Sequence, residues 1–482
     1  MSSILENADI KSKCQIFTPH SVVVNMLNEV GYTSNLFGKR ILENSCGNGR
    51  FLVEIVQRYI FDAQSQGLTT TAIKAGLETD ICGAELDKEQ YKSCIAAIDE
   101  VAHKNGIQGV NWNIHNCDSL RTPFQQTFDF IVGNPPYLSY WDLPKDERIY
   151  VRENYTTCDT GAFDYCFAFI EKAVAQLSSI GKLAYIIPGS IFKTRTAKSL
   201  RQFIKPLLTN IIDYKAQTVF TDATTSPSII ILDAGYLGST INYHDVPTQN
   251  SVSISKVDLD DELWVFEKAP IKDQQPVKKR FGDFFEVSSS VATQYNDAYI
   301  LTGWTTEGNY LVSKDRTATV ELTATRPAAR PKRQATNTIE HIIFPYRYEN
   351  GQLVRYTENE YRKQFPLAYD YLKKSKKKLG ERAADKKAAW YEYGRSQALQ
   401  KLNREKILLC PVVSKVVQAW KLDQDAVPYS GFFIVAKEGS SIDDALNIIK
   451  SPAFTEYIKA VGINANGSSV RFSTRNVENY TW

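Results

Sequence analysis

The chain has 482 residues, 43% hydrophobic and 23% charged, a balance that fits a globular protein of about two to four domains and excludes disordered and collagen-like classes. No apolar run approaches the ~20 residues of a membrane span, and the N-terminus lacks the basic start, apolar core and small-residue cleavage site of a secretory leader. Lys and Arg number 57 against 54 Asp and Glu. Residues 326–406 hold 20 of those bases and only 9 of the acids, so positive charge is concentrated in one region. The eight cysteines form no C-x-x-C pair and the five histidines show no zinc-ligand spacing, which predicts free thiols, a reducing cytoplasmic setting and no metal.

In chain order, residues 21–27 read as a helix, followed by a short apolar strand at 40–43 and a helix at 51–59. A strand at 81–85, a helix at 89–104, a strand ending near Asp118 and a strand at 128–132 come next. Then follow a helix at 162–177, a strand at 182–187, a helix at 197–208 and a strand at 228–232. Continuous apolar runs alternating with amphipathic stretches predict an open, doubly wound α/β sheet of the Rossmann-like kind, with ligands at the carboxyl ends of its strands. After about Tyr243 the pattern turns irregular. The expected organisation is a catalytic domain over 1–245, a connecting segment over 246–279 and a mixed α+β domain over 280–482. Within the last, 369–400 is predicted helical from its Lys, Ala, Glu and Leu content, beside the run Lys373-Lys374-Ser375-Lys376-Lys377-Lys378.

The strongest chemical signal is Gly133-Asn134-Pro135-Pro136-Tyr137, directly after the strand at 128–132. Two consecutive prolines fix a rigid turn. Such a turn holds the Asn134 side-chain oxygen and the Pro135 carbonyl as two acceptors for the hydrogens of a planar NH₂ group, and Tyr137 offers a ring to stack on the base that bears it. Glu43-Asn44-Ser45-Cys46-Gly47-Asn48-Gly49 ends a strand and turns into a helix, as in sites where a backbone approaches a ligand closely. Glu85 and Asp118 stand at the ends of the next two strands; the first suits a ribose diol and the second an adenine amine.

These motifs, and Gln15-Ile16-Phe17-Thr18-Pro19 ahead of them, resemble the γ-class N6-adenine DNA methyltransferases, the TaqI-like amino-methyltransferases of type II restriction-modification systems. The resemblance implies S-adenosyl-L-methionine as cofactor, held by Phe17, Thr18 and Pro19 along its methionine part and by Glu43, Cys46, Gly47 and Gly49 at the pocket floor, with Glu85 on the ribose and Asp118 on the adenine. It further implies catalysis by Asn134, Pro135, Pro136 and Tyr137, and Phe220 as a second stacking ring on an adenine flipped from double-stranded DNA. The methyl passes directly to the amine, without metal or covalent intermediate. The region from Arg280 onward resembles the target-recognition domain of the same enzymes through Arg280 to Val287, Ile342 to Arg347, Arg382, Trp390 and Arg395.

An RNA amino-methyltransferase is the alternative for the same tetrad, and a catalytically inactive DNA-binding module is the non-enzymatic one. With only about 15 residues before Phe17, too few for a nuclease domain, the expectation is a stand-alone, monomeric modification enzyme whose restriction endonuclease, where one exists, is encoded separately.

Overall fold

The computed structural model describes residues 17–215, 217, 219–220, 226–266, 279–336, 339–465 and 469–482. Gln15, Ile16 and Cys14 lie outside them. The chain divides into two compact units, Met1–Ala269 and Pro270–Trp482.

The first unit is built on a nine-stranded sheet: β1 (Ile41–Glu43), β2 (Ile81–Glu85), β3 (Asn113–Asn116), β4 (Phe128–Gly133), β5 (Leu177–Pro188), β6 (Leu208–Asp213), β7 (Pro227–Asp233), β8 (Thr240–Asp245) and β9 (Asn250–Ser255). Their order is β3-β2-β1-β4-β5-β7-β6-β8-β9. Strands β1 to β5 run parallel, with Glu43 opposite Gly83 and Leu42 opposite Ile131, whereas β7 lies antiparallel between β5 and β6. Successive side chains of a strand point to opposite faces. Leu42, Ile131, Leu183 and Tyr185 therefore enter one core and Ile41, Val132, Ala184 and Ile186 the other. The helices His20–Glu29, Arg50–Ser65, Thr70–Asp80 and Lys88–Lys104 cover the second face, and Lys145–Asn154, Cys166–Gln176 and Lys198–Ile204 the first. This is the expected α/β layering.

Two expectations need correction here. The unit does not end at residue 245: β9 pairs with β8, and Trp264 and Phe266 are buried in the core with Phe192 and Tyr243. Val252, Ile254, Leu259, Trp264 and Phe266 thus pack with the nine-stranded sheet and do not form a connecting segment. The helix expected over 369–400 is broken into Pro366–Lys373 and Lys376–Gly380, after which the chain runs as turns. There Arg382 replaces helical hydrogen bonding with a tertiary hub, donating to the carbonyls of Leu379, Thr293, Trp390 and Glu392.

The second unit is mixed α+β. Its sheets include Phe285–Ser289, Phe432–Ala436, Lys406–Leu409 and Ala419–Leu422 in one, and Ile300–Leu301, Glu340–Ile343, Thr325–Ala329 and Val427–Pro428 in another. Much of its basic surplus is engaged internally. Arg330 and Arg333 converge on buried Glu340, Arg326 lies over the rings of Phe344 and Tyr348, and the fully buried Lys406 ammonium donates to the carbonyls of Asp423, Gln424 and Ala426.

Candidate active site

The sheet order reverses between β1 and β4: the chain leaves β1 toward β2 and leaves β4 toward β5. A crevice must open at the carboxyl ends of these two neighbours. A cleft of about 960 Å³, counting the space open to solvent, lies there. Phe17, Thr18, Glu43, Cys46, Gly47, Glu85, Asp118, Asn134 and Pro136 all line it. Pro19 stands one residue outside, capping the helix His20–Glu29. Gly49 caps Arg50–Ser65 at φ +87°, and a Cβ on it would sit 2.9 Å from the Cys94 thiol, so here glycine is required by both backbone and space. Gly47, at φ +51°, has no atom within 4 Å of where a Cβ would stand.

The acids behave differently from one another. Glu85 accepts the main-chain N–H groups of Gly47 at 2.7 Å and Asp87 at 2.8 Å, one on each oxygen, which leaves a further lone pair on each for a diol. Burial raises its pKa, while those two N–H groups oppose the rise. Glu43 is fully buried, and burial, helped by the charges of Cys94 and Glu85, holds its carboxyl well above the usual range. The Cys46 thiol is likewise pushed well up by burial and donates to the Glu43 carbonyl at 3.1 Å, a small packing group and no nucleophile. Asp118 is tethered: it pairs with Arg121, whose guanidinium also bridges Glu147 at 2.6 and 3.2 Å, and Glu147 in turn accepts the Tyr165 hydroxyl at 2.8 Å.

In the tetrad, the Asn134 amide nitrogen donates to the Thr18 hydroxyl at 3.2 Å, which turns the amide oxygen to the other side. Ser45 donates to the Asn134 carbonyl at 3.3 Å, tying the end of β4 to the turn after β1. The Tyr137 ring packs between the two cores with its hydroxyl donating to the Ile186 carbonyl at 2.7 Å. Pro135 and Tyr137 stand next to the lining residues without lining the cleft themselves. Phe220 is buried in the core with Val219 and Tyr214.

Sequence reasoning missed Asn44, Asp87, Gln90, Ser119, Tyr165 and Phe169 on the cleft wall. Asn44 is notable: its amide oxygen accepts the Tyr185 hydroxyl at 2.6 Å, and its buried amide nitrogen has no partner among the described residues. Nothing in the motif pattern of the sequence singles Asn44 out. The Gln90 and Glu43 side chains each bring a further buried, unpartnered oxygen. Buried polar atoms of this kind ordinarily have partners, so a polar ligand with donors and acceptors suits the cleft, and S-adenosylmethionine, with its diol, amine, ammonium and carboxylate, fits this donor set. Among the described residues there is no group of three or more His, Cys, Asp or Glu able to hold a metal, and no helix long and apolar enough to cross a membrane.

Residues 35–220 match the Eco57I restriction-modification methylase family. The chain is 25% identical over 336 residues to the type II restriction enzyme and methyltransferase RM.Eco57I of Escherichia coli, covering 61% of this chain and 33% of that protein. It is 30% identical over 204 residues to the type II methyltransferase M.PaeR7I of Pseudomonas aeruginosa, covering 40% and 35%. The chain thus spans about a third of the length of these relatives. Among solved structures, the type IIL restriction-modification enzyme MmeI in complex with DNA superposes with a TM-score of 0.64 at 13% identity, covering 95% of this chain and 65% of that one, a likeness of fold.

Proposed function

Taking residues 35–220 as an Eco57I-type restriction-modification methylase domain, we propose that the chain is a site-specific DNA methyltransferase that methylates the exocyclic N6 of an adenine flipped from double-stranded DNA, acting as a stand-alone modification enzyme. The observation that carries this reading is that Asn134 and Pro136 open into the same cleft as Glu85 and Asp118, so an amine held at the tetrad faces a cofactor held by the acids. Bound there, S-adenosylmethionine supplies an activated methyl on a sulfonium.

The chain's own residues do the rest. Glu85 holds the ribose hydroxyls and Asp118 the cofactor's adenine amine. Asn134, its amide oriented by Thr18, accepts one hydrogen of the target NH₂ and the Pro135 carbonyl accepts the other, which fixes the nitrogen lone pair toward the methyl. Extrusion costs a few kcal/mol, and stacking at ~1–3 kcal/mol per ring offsets it. Tyr137 and Phe220 are the stacking rings in this reading, and the unit Pro270–Trp482 reads the target. A separately encoded endonuclease and a monomeric state complete it.

The test is incubation of the chain with tritiated S-adenosylmethionine and, separately, unmethylated DNA, total RNA and cell protein, followed by identification of the labelled product. N6-methyladenine from DNA is expected and label only in RNA refutes the DNA reading. Asn134→Ala should lose transfer while retaining cofactor affinity; unchanged turnover would remove Asn134 from the chemistry. Since Tyr137 is wedged between the cores, Tyr137→Phe is the usable variant there, and it should preserve the 2-aminopurine fluorescence rise that reports flipping.

A further inference from the structure

The segment that follows Tyr137 has no role in the chemistry above. It leads from the tetrad into the helix Lys145–Asn154, whose residues Lys145, Arg148, Ile149 and Arg152 share one face at spacings of three, four and seven. With Tyr140 they line a hollow of about 560 Å³. The guanidinium groups of Arg148 and Arg152 lie 5.0 and 5.1 Å from the Tyr140 ring centre, and the Nε atoms of both are buried and have no hydrogen-bond partner among the described residues. Arg152 also donates to the Gly161 carbonyl at 2.6 Å. Next to this cluster Trp141 meets Tyr140 edge-on at 5.0 Å while remaining 76% exposed.

The acids nearby do not cancel the charge. Glu147 points inward to Arg121 and Tyr165, Asp142 accepts the Ser139 hydroxyl, and Asp146 and Glu153 flank the face. Among the described residues none of the three cations is paired with a carboxylate. An exposed Trp beside three cations that no described carboxylate pairs with has the chemistry of a nucleic-acid contact, with cations for phosphates and a ring for a base.

We propose that Tyr140 to Arg152 is a DNA clamp on the catalytic unit: Lys145 and Arg148 hold backbone phosphates of the duplex beside the target base, and Trp141 stacks on a base next to the gap that extrusion leaves. The clamp rests on the DNA reading given above, and it acts independently of sequence, because phosphates and ring faces are common to every site. It ties flipping to the turn that captures the base, since only Leu138 and Ser139 separate Tyr137 from Tyr140.

The experiment measures binding of the full chain to a short mixed-sequence DNA duplex carrying one unpaired adenine, so that an extruded base is present, over a range of salt, with S-adenosylhomocysteine affinity as the check that each variant is folded. Lys145→Gln/Arg148→Gln should make the plot of log affinity against log salt shallower by about two, because each lost phosphate contact removes ~0.9. Trp141→Ala should weaken binding roughly 5- to 100-fold with the salt slope unchanged. A double variant with the wild-type slope overturns the clamp, as does a Trp141→Ala chain that binds as wild type; if the wild type still methylates DNA, the function proposed above survives that failure. A wild-type chain that binds and methylates RNA but not DNA overturns both.

Discussion

Removing Arg121 should expose how much of the cofactor cleft rests on a buried ion-pair relay. Arg121→Met strips Glu147 of two of its three hydrogen bonds and Asp118 of its cation. The Glu147 side chain is 2% exposed, so its charge has no water to turn to, and breaking a buried pair of this kind costs about 3–5 kcal/mol. The guanidinium itself is 37% exposed, which puts the loss at the lower end, and its stacking on the Tyr150 ring at 3.8 Å adds ~0.5–1 kcal/mol. We expect about 3–4 kcal/mol in total. Arg121→Met/Glu147→Gln leaves no buried charge and keeps an acceptor for Tyr165, so it should be more stable than the sum of its parts by about 2 kcal/mol. Urea unfolding of the four chains, with S-adenosylhomocysteine titration in parallel, measures both consequences. Cofactor affinity should fall in both Arg121 variants because Asp118 loses its tether. Additive losses in the double variant would refute the relay.

Three further outcomes are expected. Asn44→Asp keeps the shape and the Tyr185 bond but replaces an amide donor in the cleft by a carboxylate, and cofactor affinity by calorimetry should drop at least tenfold, about 1.4 kcal/mol; equal affinity would mean that Asn44 does not face the ligand. Gly49→Ala should cost about 3 kcal/mol, from left-handed strain of ~1–2 kcal/mol and a clash with Cys94, whereas Gly47→Ala, free of neighbours, should cost only the strain; equal thermal shifts would contradict the packing at Gly49. Burial lowers the Lys406 ammonium from an unfolded value of 10.5 to about 8, so between pH 8 and 10.5 the unfolded chain binds more protons and stability rises with pH, by up to about 3 kcal/mol. Lys406→Met should abolish that rise in urea midpoints taken from pH 7 to 9.5, and parallel profiles would show that the ammonium is not desolvated.

Strand runs such as Ile81–Glu85 and Phe128–Gly133 were legible because strands buried on both faces are continuously apolar. The Thr70–Asp80 helix was not, since Thr70, Thr71, Gly76 and Thr79 dilute its three turns and leave little periodicity; nor was β9, whose Asn-Ser-Val-Ser-Ile-Ser alternates too weakly. At the cleft, residues with a motif partner in sequence were found. Asn44, Gln90 and Tyr165 were not, because what marks them is burial without a partner or a bond to a residue far along the chain, as Tyr165 has with Glu147. The alanine-rich stretch beyond residue 380 misled for the converse reason: local helix propensity yielded to the tertiary bonds of Arg382.

Under the proposed function, in which the unit Pro270–Trp482 reads the target, the division of its basic surplus into an inner and an outer set bears on how the chain would acquire a new one. Arg382, Arg330, Arg333 and Lys406 are structural studs, bonded to carbonyls or to buried Glu340, and exchanging them would unfold the unit before it changed any preference. Lysines such as Lys373, Lys374 and Lys377 lie outside that framework. Mutational drift can therefore sample the outer set at little cost in foldedness, and a library built to retarget the chain should randomise there while keeping the studs fixed.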